Sequence, residues 1–413
     1  MLPINSSKYY HLTNKIILAG IGLVAFCIVY THALTYNFFI IDDAWMLVGF
    51  PLVYPESYNW QWVADVFTEY NNLTYSPLIT LYFHLIYRIN GMDPYYFHLG
   101  SLLLQMIDAL LLYHLSKVIL TEFNIQHARL MAYFTSLIWL IHPINAEAIV
   151  WIAAVKFGLS NMFLFISFIF YIRATKKLTI LNFSSCLLGL VCACLCKEQA
   201  IFAPYLFISF TVCRMKRWKY DGSKRWLYIG GALIAASGLF VYINMFLSDI
   251  APFRPATAYP VLYRICFAAK SLFIYLGKMI FPYPLKLYYP FPLKQGAPLP
   301  FYYYTLPIAF AGLYFFVYKL YSKMGQRTFF IFCSLFFFIN IGMCLQIFPM
   351  GVRSNMLAPR YMYLPSIPVL YLLLLLVPFS KLPRALIIVS CFIILLVVYN
   401  FFYVNSWSEL NIT

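Results

Sequence analysis

The chain has 413 residues, of which 63% are hydrophobic, 20% aromatic and only 10% charged, and 29 basic residues outnumber 13 acidic ones to give a net charge of +16. Soluble domains are roughly 45–50% apolar and about 25% charged, so this composition excludes most of them and indicates lipid as the solvent. A nucleic-acid-binding protein would concentrate its cations on a water-facing domain, and none is visible, so we expect no nucleic-acid partner.

Apolar stretches predict eleven membrane-spanning helices, each of which needs about 20 mostly apolar residues. In chain order these predicted spans lie at residues 15–36, 97–119, 128–141, 157–171, 178–196, 200–213, 226–247, 302–318, 328–348, 363–379 and 385–403. No internal repeat or separate soluble domain is visible. Residues 1–413 are therefore expected to form a single transmembrane domain of an all-α polytopic membrane protein.

Basic residues predict the orientation of the spans, because Lys and Arg are enriched in cytoplasmic loops. With the N-terminus in the cytoplasm, 18 of the 29 basic residues fall on the cytoplasmic side, where only Glu122 and Asp221 oppose them. The C-terminus then lies on the outer side, which is periplasmic or lumenal. We expect an integral protein of a bacterial inner membrane or of the endoplasmic reticulum, surrounded by membrane lipids.

Two further apolar stretches, residues 73–90 and 262–281, would upset this alternation if they crossed the membrane. The second also carries Arg264, Lys270 and Lys278, and cations are costly in the bilayer interior. Both stretches are interpreted as amphipathic helices that lie on the outer surface. The first belongs to the longest outer loop, residues 37–97.

Asp42 and Asp43 follow the first predicted span directly. Adjacent carboxylates repel each other and are costly at a membrane boundary, so one of them is expected to have a raised pKa or to face a cation. Such a group can serve as a general base. The alternative is a solvated acidic helix cap without a catalytic role.

Ionisable residues recur at the outer ends of the predicted spans, on the side that should be poor in cations. They are His98, His142, Glu147, Lys156, Lys197, Glu198, Arg264, Arg353 and Arg360. Each cation alone could extend to the lipid headgroups, but the whole set near an acidic pair favours an anion site. Phosphate fits best, because Arg and Lys match its charge and hydrogen-bonding geometry.

Three other polar features have structural alternatives. Lone histidines are more often structural than metal ligands, so metal binding by His98 or His142 is disfavoured. Asp108, within the second span, is either a proton-relay group or a partner in an interhelical hydrogen bond, and the hydrogen bond is favoured. No cofactor is expected to be obligatory, and a divalent metal held by the carboxylate pair stays an open alternative.

Five short motifs occur in an order typical of one enzyme family. They are Asp42-Asp43, then Tyr75-Ser-Pro-Leu with Asp93-Pro and His98-Leu, then His142-Pro-Ile-Asn-Ala-Glu147-Ala-Ile-Val-Trp151, then Lys197-Glu198, and Ala358-Pro-Arg360-Tyr-Met-Tyr363-Leu-Pro-Ser366. With these motifs the chain resembles the membrane part of the transmembrane and tetratricopeptide-repeat O-mannosyltransferases (the TMTC family) and their bacterial relatives, within the GT-C superfamily.

The resemblance implies a GT-C fold with about eleven spans and an inverting transfer of a sugar, typically mannose. The donor would be a polyprenyl-phosphate-linked sugar, and the acceptor a hydroxyl of a protein, or of a lipid, on the outer face. The acidic motif of the first loop would be the catalytic centre, here Asp42 and Asp43. Cations would bind the donor phosphate, and the candidates are Lys156, Lys197, Arg353 and Arg360. Supporting roles would belong to His98, His142, Glu147, Glu198, Arg264, Tyr361 and Tyr363.

The sequence departs from the family pattern at three positions in these segments. Lys156 replaces a usual Arg, which keeps the charge but loses bidentate geometry. Ser101 and Gln105 stand where Asn and His are usual. No tetratricopeptide repeat is visible either, so the acceptor class is less closely specified than the donor class.

A transporter or flippase for a phosphate-bearing lipid is the main alternative from another functional class. Such proteins typically have two related halves, interrupted helices and ionisable groups at mid-membrane. Here the polar groups gather at span ends and only Asp108 is expected to lie deep, which favours the glycosyltransferase.

Overall fold

A computed structural model describes residues 20–39, 42–70, 74–217, 224–247, 259–294, 296–347 and 355–410. Fifteen helices are present in these ranges. They are α1 (Gly20–Thr35), α2 (Trp60–Thr68), α3 (Pro77–Asn90), α4 (Pro94–Glu122), α5 (Ala128–Ile141), α6 (Pro143–Val150), α7 (Val155–Lys176), α8 (Ile180–Cys196), α9 (Ala203–Arg217), α10 (Arg225–Leu247), α11 (Val261–Ile280), α12 (Tyr302–Lys323), α13 (Arg327–Ile341), α14 (Ser366–Leu375) and α15 (Leu382–Asn405).

The strands in the described ranges form one small antiparallel pair, β1 (Tyr289–Pro290) with β2 (Asn355–Leu357). Short 3₁₀ turns at Ile152–Ala154, Glu198–Phe202 and Pro359–Met362 connect helices. The predicted all-α class is therefore confirmed.

Within the described ranges, five helical segments are long and apolar enough to cross a membrane. They are Pro94–Glu122, Ile152–Lys176, Arg225–Asn244, Arg327–Leu345 and Leu382–Glu409. Four shorter apolar helices accompany them: Gly20–Thr35, Ala128–Ile141, Ile180–Cys196 and Ser366–Leu375. The chain is an all-helical membrane protein, and the count of eleven spans stays a prediction.

The two amphipathic stretches of the sequence form helices α3 and α11. Each buries one side and exposes another, as Ile79 and Leu85 illustrate in α3, and Tyr275 and Leu262 in α11. The helical character of both segments agrees with the prediction. Their position on an outer membrane surface stays a prediction.

Short connections divide the bundle into two ends. Those joining α4 to α5, α7 to α8, α12 to α13 and α14 to α15 lie at one end, where Phe123 contacts Phe329, Glu122 pairs with Lys176, and His127 contacts Phe379. The turns after α5, α6, α8 and α13 lie at the other end, where Lys197 contacts Phe157 and Gln199 contacts Cys344. Helix α4, with 29 residues, separates these ends by about 43 Å at 1.5 Å per residue. The second end contains Asp42 and is called the Asp42 end below.

The opposite end is held by an ion-pair cluster on the last turns of three helices. Glu122 of α4 pairs with Lys176 of α7, and the Oε2 atom of Glu122 lies 3.2 Å from a guanidinium nitrogen of Arg214 in α9. Arg225, at the start of α10, donates to the main-chain carbonyl of Lys176 at 3.2 Å. The cluster joins four helices where the sequence places many of its cations.

The first and last described helices meet at the Asp42 end. The Tyr36 hydroxyl donates to the carbonyl of Val404 at 2.8 Å. The Asn400 amide of α15 donates to the Tyr30 hydroxyl at 3.0 Å and to the Ile141 carbonyl at 2.8 Å. Helix α15 therefore links α1 with the end of α5.

Helices α7 and α8 approach closely because small residues face each other. A Cβ atom at Gly189 would come within 3.0 Å of both the Phe163 carbonyl oxygen and the Ser167 Cβ. The Ser167 and Ser160 hydroxyls donate to the carbonyls of Cys186 and Ala193 at 2.7 and 3.0 Å. Such small-residue contacts allow tight helix packing in lipid.

Gly189→Leu should therefore separate α7 from α8 and lower stability by about 1–3 kcal/mol, the usual cost of overpacking. Thermal unfolding in detergent measures the effect. Gly238→Leu on α10 is the matched control, because nothing lies within 4 Å of the added Cβ there. Equal melting temperatures for the two variants would contradict the packing described for Gly189.

Candidate active site

Asp43 ties the first loop to the turn before α7. Its Oδ2 accepts the Phe39 N–H at 2.9 Å, and its Oδ1 accepts the Ala153 N–H at 2.7 Å. The side chain is fully buried. Burial raises the pKa of Asp43 to about 7, although the two N–H donors favour the ionised form and the neighbouring Asp42 charge opposes it. Both carboxylate oxygens are thus occupied by the protein itself.

Asp42, by contrast, is partly exposed and keeps one oxygen available. Its Oδ1 accepts the Trp45 indole N–H at 3.2 Å, and within the described residues its Oδ2 accepts no hydrogen bond. A turn of π-helix, Ala44–Val48, follows directly. The acidic pair therefore divides into a buried carboxylate that fixes the loop and a partly exposed one that can meet a ligand.

Glu147 and Arg360 form a buried ion pair that links α6 to the turn Pro359–Met362. Glu147 lies on α6, is fully buried, and pairs through Oε1 with the Arg360 guanidinium. Its Oε2 accepts the Arg360 main-chain N–H at 2.9 Å. The guanidinium carbon also lies 4.9 Å from the Trp151 ring centroid and 5.3 Å from that of Tyr361. These contacts fix the position of the Arg360 charge.

Lys156 and Lys197 bring two more cations to the same region. The Lys156 ammonium lies 3.7 Å from the Met46 Sδ, which is its one partner among the described residues. The Lys197 ammonium lies 4.2 Å from the Phe157 ring centroid and 3.7 Å from Glu198 Oε1. The charges of Lys197, Glu198, Asp42 and Arg360 all act on Lys156. The structure thus brings these groups together, as the sequence predicts. They form what is called the charged cluster below: Asp42, Lys156, Lys197, Glu198 and Arg360.

His142 has a structural role. Its Nδ1 accepts the Ile144 N–H at 3.1 Å and so caps α6, and its Nε2 lies 3.2 Å from the Met279 carbonyl. Burial lowers the pKa of His142 to about 4, which keeps the ring neutral. Both ring nitrogens are engaged, in agreement with the disfavoured metal role. His98 packs edge-on to the rings of Tyr36 and Phe39, at 6.2 and 6.1 Å, beneath the first loop.

Tyr361 and Tyr363 follow Arg360 but point in different directions. Tyr361 lies beside Phe157, with ring centroids 6.3 Å apart. Tyr363 is buried, and its hydroxyl donates to Gln105 and, at 3.3 Å, to Asp108 Oδ2. Asp108 of α4 therefore accepts a hydrogen bond from the turn that precedes α14, rather than from another helix, and Tyr363 anchors the Arg360 turn to α4.

One predicted supporting residue bonds away from the charged groups, and one predicted phosphate-binding residue lies outside the described ranges. Arg264 of α11 donates to the Ile347 carbonyl at 2.7 Å. Arg353 lies outside the described residues. Among the described residues, no group of three or more His, Cys, Asp and Glu side chains is placed to hold a metal ion.

Several contributors to the site were not assigned from the sequence. Ala153 acts through its main-chain N–H, for which no side-chain signal exists. Trp151 stands within the His142 motif, and its contact with Arg360 explains an aromatic residue there. Met46 is an apolar residue with no pattern that marks it.

No family model matches the chain. The chain is 28% identical over 161 residues to Protein O-mannosyl-transferase TMTC1 of Homo sapiens, which covers 37% of this chain and 18% of that protein. It is also 28% identical over 161 residues to the Mus musculus protein of that name, and 26% identical over 164 residues to Protein O-mannosyl-transferase Tmtc3 of Drosophila melanogaster.

The matched region spans less than a fifth of the length of each of these relatives, with shares of 18%, 16% and 17%. It covers 34–37% of the present chain. Over about a third of its length, the chain is therefore homologous to the TMTC protein O-mannosyltransferases.

Proposed function

We propose that this protein is an inverting GT-C glycosyltransferase of about eleven spans. It moves a sugar, with mannose as the first candidate, from a polyprenyl-phosphate carrier to a protein hydroxyl. Homology to protein O-mannosyltransferases supports the transfer to protein. The observation that carries the proposal is the partly exposed Asp42 carboxylate, whose charge acts on both Lys156 and Arg360, while the Lys197 charge acts on Lys156.

Asp42 is the general base of the proposed reaction. Its unoccupied Oδ2 removes the proton of the acceptor hydroxyl as the acceptor oxygen attacks the anomeric carbon. The bond from that carbon to the phosphate oxygen breaks on the opposite face, so the configuration inverts and polyprenyl phosphate leaves. Asp43 is a positioning residue, because its oxygens hold Phe39 and Ala153.

The three cations stabilise the charge that develops on the departing phosphate. Lys156 is the principal donor, because a thioether sulfur is a weak acceptor and leaves its N–H groups available. Arg360 contributes a fixed charge, since Glu147 holds both its backbone and its guanidinium. Lys197, which pairs with Glu198, is the third cation.

The Asp42 end faces the periplasm or lumen in this proposal, with the N-terminus in the cytoplasm. The Glu122 cluster supports this orientation, because it gathers Lys176, Arg214 and Arg225 at the opposite end. Flux of a phosphate-bearing lipid across liposomes, unaffected by loss of Asp42, would instead support the flippase alternative.

Asp42→Asn should lower sugar transfer by at least about a hundredfold, the contribution of a positioned base, without lowering the melting temperature. Asp43→Asn should lower both activity and stability, because its amide would direct N–H groups at a backbone donor. Purified protein, a polyprenyl-phosphate sugar and a peptide acceptor provide the assay. Full activity of Asp42→Asn would refute the assignment of the base.

Lys156→Met should reduce kcat/KM for the donor by about ten- to a hundredfold, as expected when a charge-assisted hydrogen bond of about 1.5–3 kcal/mol is lost. Lys156→Arg should recover part of the rate, because the charge remains. Lys286→Met is the matched control, since Lys286 is exposed and outside the cluster. Equal losses at Lys156 and Lys286 would assign the effect to net charge alone.

Asp43 should also make stability depend on pH. Its folded-state pKa of about 7 lies above the ordinary value of 3.8, so between these values the folded protein retains a proton that the unfolded chain releases. Stability should therefore fall as the pH rises from about 4 to about 7. Melting temperatures across this range test the effect, and Asp43→Asn should flatten the profile. An unchanged slope in that variant would assign the dependence to other groups.

A further inference from the structure

A small cavity of about 30 Å³, with both polar and apolar side chains in its walls, shares Lys197 with the charged cluster. Its walls come from α7, from the Glu198–Phe202 turn and from the segment that follows Arg360. Amide and hydroxyl side chains line it, although its helices are otherwise apolar: Ser160, Asn161, Gln199 and Asn340. Polar linings of this kind are typical of sites that recognise a polar ligand group.

Asn161 provides the main evidence for a ligand. Only 6% of this residue is exposed, and its Nδ2 donor has no hydrogen-bond partner among the described residues. A buried donor left unsatisfied costs about 1–3 kcal/mol, so such groups require an explanation. Asn340 donates its own amide to the Phe336 carbonyl at 2.7 Å, and no described residue donates to its Oδ1. Asn161 therefore offers the cavity a free donor, and Asn340 offers it an acceptor.

The cavity adjoins the proposed phosphate site through two shared residues. Lys197 and Tyr361 line it, and each also contacts the charged cluster, Lys197 through Glu198 and Tyr361 through Arg360. A ligand whose phosphate lies against these cations thus has its adjoining group next to the cavity mouth. In a sugar phosphate, that adjoining group is the sugar.

The size of the cavity limits which part of a sugar it can accept. One water-sized group needs about 10–15 Å³ by this measure, so 30 Å³ holds about two such groups. A hexose ring is too large. A ring hydroxyl has one non-hydrogen atom and would leave half of this space empty. The exocyclic hydroxymethyl group of a hexose has two, one carbon and one oxygen, and therefore matches the cavity. Phe157 and Leu164 provide apolar walls for the carbon.

We propose that this cavity binds the exocyclic hydroxymethyl group of the donor hexose, with Asn161 donating to its oxygen and Asn340 accepting its proton. The inference rests on the proposed function and deepens it, because it makes hexosyl rather than pentosyl carriers the preferred donors. Asn161 is then a specificity-determining residue that acts at a distance from the breaking bond.

The test compares three synthetic polyprenyl-phosphate donors that differ only at this group: a mannosyl donor, its 6-deoxy analogue and the matching pentosyl donor. With the purified full chain, kcat/KM should fall roughly tenfold when the hydroxyl is removed, because Asn161 again lacks a partner. The pentosyl donor should be no better than the 6-deoxy analogue.

Two variants distinguish loss of the Asn161 contact with the donor hydroxyl from a general loss of activity with every donor. Asn161→Leu should lower kcat/KM for the mannosyl donor while leaving the 6-deoxy donor nearly unchanged, so that the preference disappears. Ala203→Leu, which fills the cavity, should favour the pentosyl donor. Ala235→Leu adds the same bulk to an exposed position of α10 and should leave all three rates unchanged.

The outcomes distinguish this inference from the function on which it rests. Equal kcat/KM for all three donors in the unmodified protein, or equal losses for all three in Asn161→Leu, would overturn the assignment of the cavity and leave the glycosyltransferase intact. Absence of transfer from every donor would overturn the proposed function itself. Melting temperatures of both variants show whether a loss reflects misfolding.

Discussion

The architecture of the candidate site depends on one buried carboxylate. Asp43 accepts two main-chain N–H groups, one from its own loop at Phe39 and one from Ala153, which lies 110 residues away in the chain. Taking a carboxylate out of water is costly unless its oxygens are satisfied, so this side chain favours only arrangements in which both donors are present. The first loop and the start of α7 are therefore held together, and Asp42 and Lys156 are held with them.

Glu147 and Arg360 likewise satisfy buried charge on the other side of the site. A buried acid and a largely buried base compensate each other, and the additional main-chain bond to Glu147 fixes the turn as well as the side chain. Stacking on Trp151 and Tyr361 restricts the guanidinium further. Preorganised charge in a region of low dielectric interacts more strongly than the same charge in water. The Asp43 hydrogen bonds and the Glu147–Arg360 ion pair thus fix the backbone on both sides of Asp42 and Lys156.

The convergence of Asp42, Lys156, Lys197 and Arg360 could be predicted from sequence, because each is an ionisable residue at the end of an apolar run. The different roles of Asp42 and Asp43 could not be predicted, because the role of Asp43 depends on a hydrogen bond from the backbone N–H of Ala153. Arg264 was included in the predicted site because it is a cation at the outer end of an apolar run, but from α11 it donates to the Ile347 carbonyl.

Helices were predicted well by hydropathy. Helix α5, with 14 residues, shows why span counts were less certain, because it is shorter than a typical bilayer crossing.

The contact between the first and last helices has a consequence for biosynthesis. Tyr36 bonds to Val404 across 368 positions of sequence, and Asn400 reaches both Tyr30 and Ile141. During translation, the helix before the acidic loop therefore waits for its contact with α15 until 368 further residues have been synthesised. Contacts of such long range form late and slowly, so a partly made protein inserts many helices before that loop acquires its complete support. In the proposed reaction, Asp42 would then become competent only after α15 docks.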